Sequence, residues 1–320
     1  MSTIAKVINF AKEKFRSYDK DNATMFGYIQ EHERMLADNV RLAPYHQGIK
    51  KYVKEGDTVI DLGTGTGILS FFAAQKNPKK IYALDHSSIM KVSKLIAQHN
   101  NIKNIEFVNI NSRNFTLEEK VDIIIHEQIG DFLFEENIIE NVTDLRNRLL
   151  KPDGRILPNK FEFFIEPIML HEEYNIPFLW EQHSIFGIDF SCTKEICSTI
   201  VGASHNYYGI SRGQIEKMLS TEEPGFTFDL EEIEAHSIPK KLLLSRVMKE
   251  NGRLDGFAVY FKVKFDDNIH FSTHPLGRNT NWAGRMLRVE SRNVQMGQRI
   301  KFNMDIKKIN NPDTWSWVVT

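Results

Sequence analysis

The order of apolar runs predicts an α/β fold: a doubly wound parallel sheet first, then an antiparallel β-barrel domain with an inserted arm. Three observations carry this. Between residues 56 and 157, strand-length runs ("DTVIDL", "KKIYALD", "IEFVNI", "VDIIIHE") alternate with helix-length ones ("ILSFFAAQ", "MKVSKLIAQHN", "ENVTDLRNRLL"), the rhythm of parallel βαβ units. The first run enters its helix through a glycine turn, "GTGTG". After Pro158 the helical spacing stops. "KFEFFIEPIML", "FAVYFKVKF", "MLRVES" and "IKFNMDIKKI" alternate or run apolar at strand length, with turns between them, as antiparallel strands do.

In chain order, residues 1–55 read as helices. "EHERMLADNVRLAPYHQGIKKYV" places Met35, Leu36, Val40 and Leu42 at mixed helical steps, Leu36 to Val40 being four and Met35 to Leu42 seven. Val59 to Leu62 form a buried strand and Ile68 to Gln75 open a helix. Further strands end in Asp85 and near Glu127, and the helix "ENVTDLRNRLL" is stopped by Pro-Asp-Gly. This divides the chain into N-terminal helices (1–55) over a cofactor domain (56–157), followed by a β domain (158–320). Within the last, the irregular stretch at about 189–222 looks inserted.

Bulk properties narrow the function. Formal net charge is −1, so there is no global attraction to nucleic acid or to an anionic membrane. Two cysteines, Cys192 and Cys197, are too few for a disulfide framework or a four-thiolate zinc site. His270 and His274 are four apart but fall in a strand–turn region, so no metal is expected. No run reaches the length of a membrane span, and the expected setting is cytoplasmic.

In "VIDLGTGTG" the strand delivers Asp61 and then Gly63, Gly65 and Gly67. Glycine permits positive φ and close approach of a ligand to the backbone. The spacing is neither that of a dinucleotide turn nor of a P-loop. Asp85 ends the next strand, where a carboxylate can accept ribose hydroxyls. An acid before the loop, a ribose acid after it and no phosphate-binding lysine describe a site for S-adenosylmethionine, leaving S-adenosylhomocysteine as product. Downstream, "IIIHEQIGDFLFEENIIENV" carries Glu127, Asp131, Glu135, Glu136 and Glu140. Glu127 directly follows an apolar strand. Glu135 and Glu140 suit a solvated helix start, favoured by the helix dipole. His126 reads as a packed, hydrogen-bonded strand residue.

These segments together resemble the protein arginine methyltransferases, over nearly the whole chain. "HERMLADNVR" is similar to a family segment in which the methionine and arginine touch the cofactor, which implies that role for Met35 and Arg41. "VIDLGTGTGIL" resembles the family's glycine loop. "VDIIIHEQIGDFLFEEN" resembles its double-glutamate loop, which implies that Glu127 and Glu136 are the catalytic acids. "KPDGRILP" puts Pro158 at a proline that is often cis. "FGIDFSC" resembles the start of a dimerisation arm, and "FSTHPLGRNTNW" a loop of the substrate domain, which implies that Asn281 and Trp282 wall the pocket. The chain departs from the family at Phe26, at Gln128 and Ile129, at Asp131, at Asn281, and at Ser112, where the adenine amino group is bound.

The expected reaction is methyl transfer to a guanidinium held by two carboxylates. Asp131 is either a surface acid or an extra anchor for an amine. That second option tilts the expected substrate toward a small guanidino compound such as free arginine. Arginine within a protein is the alternative, and a catalytically silent partner of an active paralogue is a third reading. A homodimer is expected, docked through Phe190, Ile196, Ile200, Val201, Tyr207, Tyr208 and Ile210.

Overall fold

The structure is a computed structural model that describes residues 28–178, 184–191 and 206–320. Two helices come first, α1 (Ile29–Ala37) and α2 (Asn39–Tyr52). Then follow β1 (Thr58–Leu62), α3 (Ile68–Ala74), β2 (Lys80–Asp85), α4 (Met90–His99), β3 (Ile105–Asn109), β4 (Val121–His126), α5 (Ile138–Leu149) and β5 (Leu150–Leu157). The five strands pair in parallel in the order β3-β2-β1-β4-β5. Strand order reverses beside β1, so the crevice at the carboxyl ends of β1 and β4 is where such a sheet takes a ligand. Val59, Ile60, Ile123, Ile124 and Ile125 are fully or nearly fully buried. This is why these strands read as continuous apolar runs rather than alternating ones.

The Leu157–Pro158 peptide is cis. Beyond it lie β6 (Lys160–Leu170), β7 (Ser184–Ile185), β8 (Ile188–Asp189), β9 (Tyr207–Ile210), β10 (Ile215–Met218), β11 (Phe226–Asp229) and β12 (Lys241–Val247). The last five are β13 (Gly252–Lys264), β14 (His270–Ser272), β15 (Gly284–Val294), β16 (Arg299–Ile306) and β17 (Trp315–Val319). One antiparallel sheet runs β10-β6-β13-β15-β9, with β11 on β6 and β14 on β13. A second runs β12-β16-β17. β12 and β16 alternate buried and exposed residues along their length, the mark of a half-buried sheet. β13 is buried from Leu254 to Phe261 because it lies between β6 and β15. Phe161, Phe163, Phe257, Phe261, Phe302 and Trp315 fill the β-domain core, which is continuous with that of the parallel sheet.

The structure places the inserted stretch differently at its C-terminal end. β9 pairs with β15 and β10 with β6, so residues 207–218 belong to the β domain rather than to an arm ending at 222. Tyr207 packs edge-on to Phe132 with ring centroids 5.0 Å apart, and its hydroxyl donates to Asp313 Oδ1 at 2.8 Å. Tyr208 stacks under the Arg288 guanidinium, and Ile210 packs on the β-domain core. These three half-buried side chains are therefore spent largely on packing within the chain. Ile196, Ile200, Val201, both cysteines, Phe26 and residues 1–27 lie outside the described residues.

Candidate active site

The glycine turn is built around two carboxylates. Gly63, Gly65 and Gly67 have φ of +73°, +53° and +89°. At Gly63 a Cβ would sit 2.8 Å from Gln128 Nε2, so the Gln128 amide would have to move, and the positive φ itself disfavours a side chain there. Asp61 lies behind the turn. Its Oδ2 accepts from Thr64 Oγ1 (2.7 Å), Ser70 N (3.0 Å) and Ser70 Oγ (2.6 Å), tying the start of α3 to the strand. Burial pushes its pKa up to about 6, against those hydrogen bonds. Asp61 was expected to touch the cofactor, but it does not line the cavity, and its work is to fix the loop.

Asp85 faces the cavity. Its Oδ2 accepts from Gly65 N at 2.9 Å, and its Oδ1 from Ser87 N at 2.7 Å and Ser87 Oγ at 2.6 Å. A carboxylate offers about four acceptor positions, so one is left for a ribose hydroxyl. Accepting a second requires the Ser87 hydroxyl to turn away.

A single cavity of about 1120 Å³, open mouth included, brings together Met35, Arg41, Gly63, Gly65, Asp85, Ser112, Glu127 and Glu136. All were singled out in the sequence. Arg41 comes from α2, whose Asp38 caps it by accepting from Arg41 N at 3.0 Å. The Arg41 guanidinium donates to Glu127 Oε2 at 2.9 Å and to Met35 O at 2.6 Å. Its Nε is buried without a partner. Arg41 therefore grips Glu127, while an unspent donor remains for a ligand.

Glu127 leaves the end of β4. Burial raises its pKa to about 7, opposed by Arg41 and assisted by Asp38. Glu136 returns to the same cavity from the other end of the loop. Burial holds it well above the usual carboxylate range, and the neighbouring Glu127, Glu135 and Asp131 push the same way against Arg41. Two carboxylates that both resist ionisation are arranged to receive a cation. Behind them Tyr45 is fully buried, its hydroxyl donating to His126 O at 3.0 Å. His126 Nε2 meets Pro158 O at 2.9 Å, and burial lowers its pKa to about 4. His126 is thus a packed strand residue, as expected.

The other acids depart from the expectation. α5 starts at Ile138, after Asn137 at φ +56°, so Glu135 and Glu136 precede the helix. Glu135 turns inward and accepts from Phe132 N at 2.6 Å, and burial raises its pKa to about 7. Asp131 is not an open anchor for an amine. Its Oδ1 accepts from Ala283 N at 2.8 Å and its Oδ2 from Arg285 at 2.5 Å. Asn281 and Trp282 do not line the cavity. Asn281 contributes its backbone N–H, which donates to Asp38 Oδ2 at 2.7 Å. Trp282 donates from Nε1 to Ile129 O at 2.6 Å and stacks on Phe271, with the Arg41 guanidinium 6.0 Å from its ring centre.

Sequence reasoning missed a polar chain along the cavity wall. Arg113 donates to Asn141 Oδ1 at 3.2 Å, and Asn141 Nδ2 donates to Gln128 Oε1 at 2.9 Å and to Glu136 O at 3.3 Å. It also missed Asp38, whose place just before a helical run is a capping signal. Among the described residues no group of His, Cys, Asp or Glu could hold a metal, and no helix is long and apolar enough to cross a membrane.

A family model, curated relatives and solved structures all match the chain, and each match is to a methyltransferase. Residues 46–158 match the model of the ribosomal protein L11 methyltransferase (PrmA) family. The chain is 31% identical over 264 residues to protein arginine N-methyltransferase 6 of Danio rerio, covering 80% of this chain and 75% of that one. It is 29% identical to the Xenopus tropicalis protein of the same name, covering 87% and 83%. The Trypanosoma brucei PRMT1 enzyme–prozyme heterotetrameric complex with AdoHcy superposes with a TM-score of 0.76 at 25% identity, covering 88% of each chain. Arabidopsis thaliana protein arginine methyltransferase 10 shares the fold, with a TM-score of 0.73.

Proposed function

Because the chain belongs to the protein arginine N-methyltransferase family and takes S-adenosylmethionine as cofactor, we propose that it methylates the guanidino group of arginine side chains in proteins. The observation that carries this is the meeting of Glu127 and Glu136 in the cavity that holds the glycine turn and Asp85. An Asp131 carboxylate open to an amine is what would tilt the substrate toward free arginine. Arg285 and Ala283 already occupy that carboxylate, and the named relatives are protein arginine methyltransferases.

The bound cofactor supplies an activated methyl on a sulfonium, so the protein's work is alignment and charge. Asp85 offers its remaining acceptor to the ribose. Met35 and Ser112 line the same wall, and the buried Arg41 Nε is a donor for the amino-acid tail. Among the described residues the cavity wall contains no lysine, which suits a ligand without phosphates. A guanidinium arrives charged, because its pKa is above about 12. It gives Glu136 a positive partner and Glu127 a second one beside Arg41, and their oxygens accept its N–H groups. This holds the guanidinium plane and turns one terminal nitrogen toward the methyl. Glu136, whose proton affinity burial and three acids raise, takes the proton that nitrogen sheds.

Retention of both acids argues against a silent partner. Homodimerisation belongs to the proposal too, supported by the exposed Leu95 on α4 and Phe186 and Ile188 near the start of the inserted stretch. The deciding experiment measures S-adenosylhomocysteine release with an Arg-Gly-rich peptide, bulk protein and free arginine side by side. Methylated peptide is the expected product. Turnover of free arginine alone would overturn the substrate assignment, and no turnover of any arginine compound would overturn the activity.

A further inference from the structure

The catalytic acids sit at the two ends of a loop, residues 128–135, that does not hold itself in place. Leu133 has φ +78° and Asn137 φ +56°. Left-handed backbone at a bulky residue such as leucine persists only where the surroundings over-determine it. The loop's own restraints are few: the Glu135 carboxylate on Phe132 N, Leu133 N on Gly130 O, Asn137 N on Phe134 O, and Asn141 on Glu136 O. Asn141 also holds Gln128 Oε1, and the rest come from the β domain. Trp282 holds Ile129 O, Asn310 holds Asn137 Oδ1, and Ala283 N with Arg285 holds Asp131.

We infer that Asp131 and Arg285 are a positioning pair through which the β domain sets the spacing of Glu127 and Glu136. The pair joins residues 154 apart in sequence. It falls midway along the loop, between the attachments at Ile129 and Asn137. Both partners are about three-quarters shielded from water, and the Arg285 guanidinium lies 5.7 Å from the centre of the Phe132 ring. Arg285 is therefore fixed on two sides, by the Asp131 carboxylate and by an aromatic face. Its Nε is buried without a partner, a cost that a casual surface ion pair does not carry. The charge also reaches the acids. Arg285 opposes the burial that raises Glu135, whereas Asp131 adds to what raises Glu135 and Glu136.

The inference rests on the methyltransferase reading of this site and names the group that holds its acids. It is tested with Asp131→Asn, Arg285→Met, the double variant and Arg285→Lys in the full chain. Each of the first two should lower kcat by 10- to 100-fold, with S-adenosylhomocysteine affinity by calorimetry within about twofold of wild type. If both act through one ion pair, the double variant should lose no more than the worse single one, and Arg285→Lys should recover most of kcat. Multiplying losses, wild-type kcat in Asp131→Asn, or a parallel loss of cofactor-product affinity would overturn it. Hydrogen exchange at the amides of residues 128–137 should quicken in both single variants. That readout needs no substrate, so it separates failure of this pair from failure of the proposed activity, and unchanged exchange would also overturn the pair.

Discussion

Glu127→Gln should make the protein more stable above neutral pH and much slower in turnover. In the folded chain the Glu127 carboxyl has a pKa of about 7 against an ordinary 4.5, because burial outweighs the Arg41 guanidinium 2.9 Å away. Between those two values the native state keeps a proton that the unfolded chain has lost. Unfolding then releases protons, and stability falls as pH rises from about 4.5 to 7. The span of about 2.5 pKa units corresponds to about 3 kcal/mol at about 1.36 kcal/mol per unit. The side chain is 18% exposed, so solvent screening takes little from this. Glutamine cannot ionise, and its amide oxygen still accepts from Arg41. For 320 residues, at about 2.1 cal/mol/K per residue, 3 kcal/mol is a rise in Tm of about 4–5 °C at pH 8. Glu136→Gln should move stability in the same direction, since its pKa is also raised by burial and by like charges. Removing either charge should cost turnover by about 10²-fold or more, the scale for a lost electrostatic contact in a transition state. The assay is urea unfolding followed by tryptophan fluorescence from pH 4.5 to 8, paired with product-release kinetics. Parallel stability curves for wild type and Glu127→Gln would refute the burial argument. Near-normal kcat would refute the mechanism.

Asp85→Ala removes the hydroxyl acceptor and the partner of Gly65 N and Ser87. Calorimetry should show S-adenosylhomocysteine bound about 10- to 100-fold more weakly, the range for a hydrogen bond to a charged group, and unchanged affinity would reject the ribose role. Gly63→Ala puts a Cβ into left-handed backbone and against Gln128. It should cost about 1–3 kcal/mol of stability, and wild-type unfolding by urea would contradict it. Arg246→Met leaves Glu166 buried without its cation; their side chains are 4% and 1% exposed and 2.9 Å apart. A loss of about 3–5 kcal/mol is expected, and adding Glu166→Met should restore much of it. A double variant no better than the single would show that the ion pair's own attraction, not an uncompensated charge, had been lost.

What the sequence determined alone was whatever depends on neighbours along the chain. The parallel sheet was legible because strands buried on both faces must be apolar throughout, and helices must repeat at three and four. The glycine turn was legible because positive φ at Gly63, Gly65 and Gly67 has few other solutions. Met35, Arg41, Asp85, Glu127 and Glu136 were legible through motif and spacing, and they meet in one cavity. The tertiary structure decided who pairs with whom. Arg41 meets Glu127 across 86 residues, Asp38 meets Asn281 across 243, and Asp131 meets Arg285 across 154. No local pattern encodes such pairings, because an acid in a loop looks the same in sequence whether it faces solvent, a substrate or an arginine brought in by another domain. The same holds for β9 and β10, which read as part of an inserted arm. They are short segments in an irregular stretch, and only their hydrogen bonds to β15 and β6 make them strands. Local chemistry chose the elements and supplied the reactive groups. Packing between the domains chose which groups were free to react.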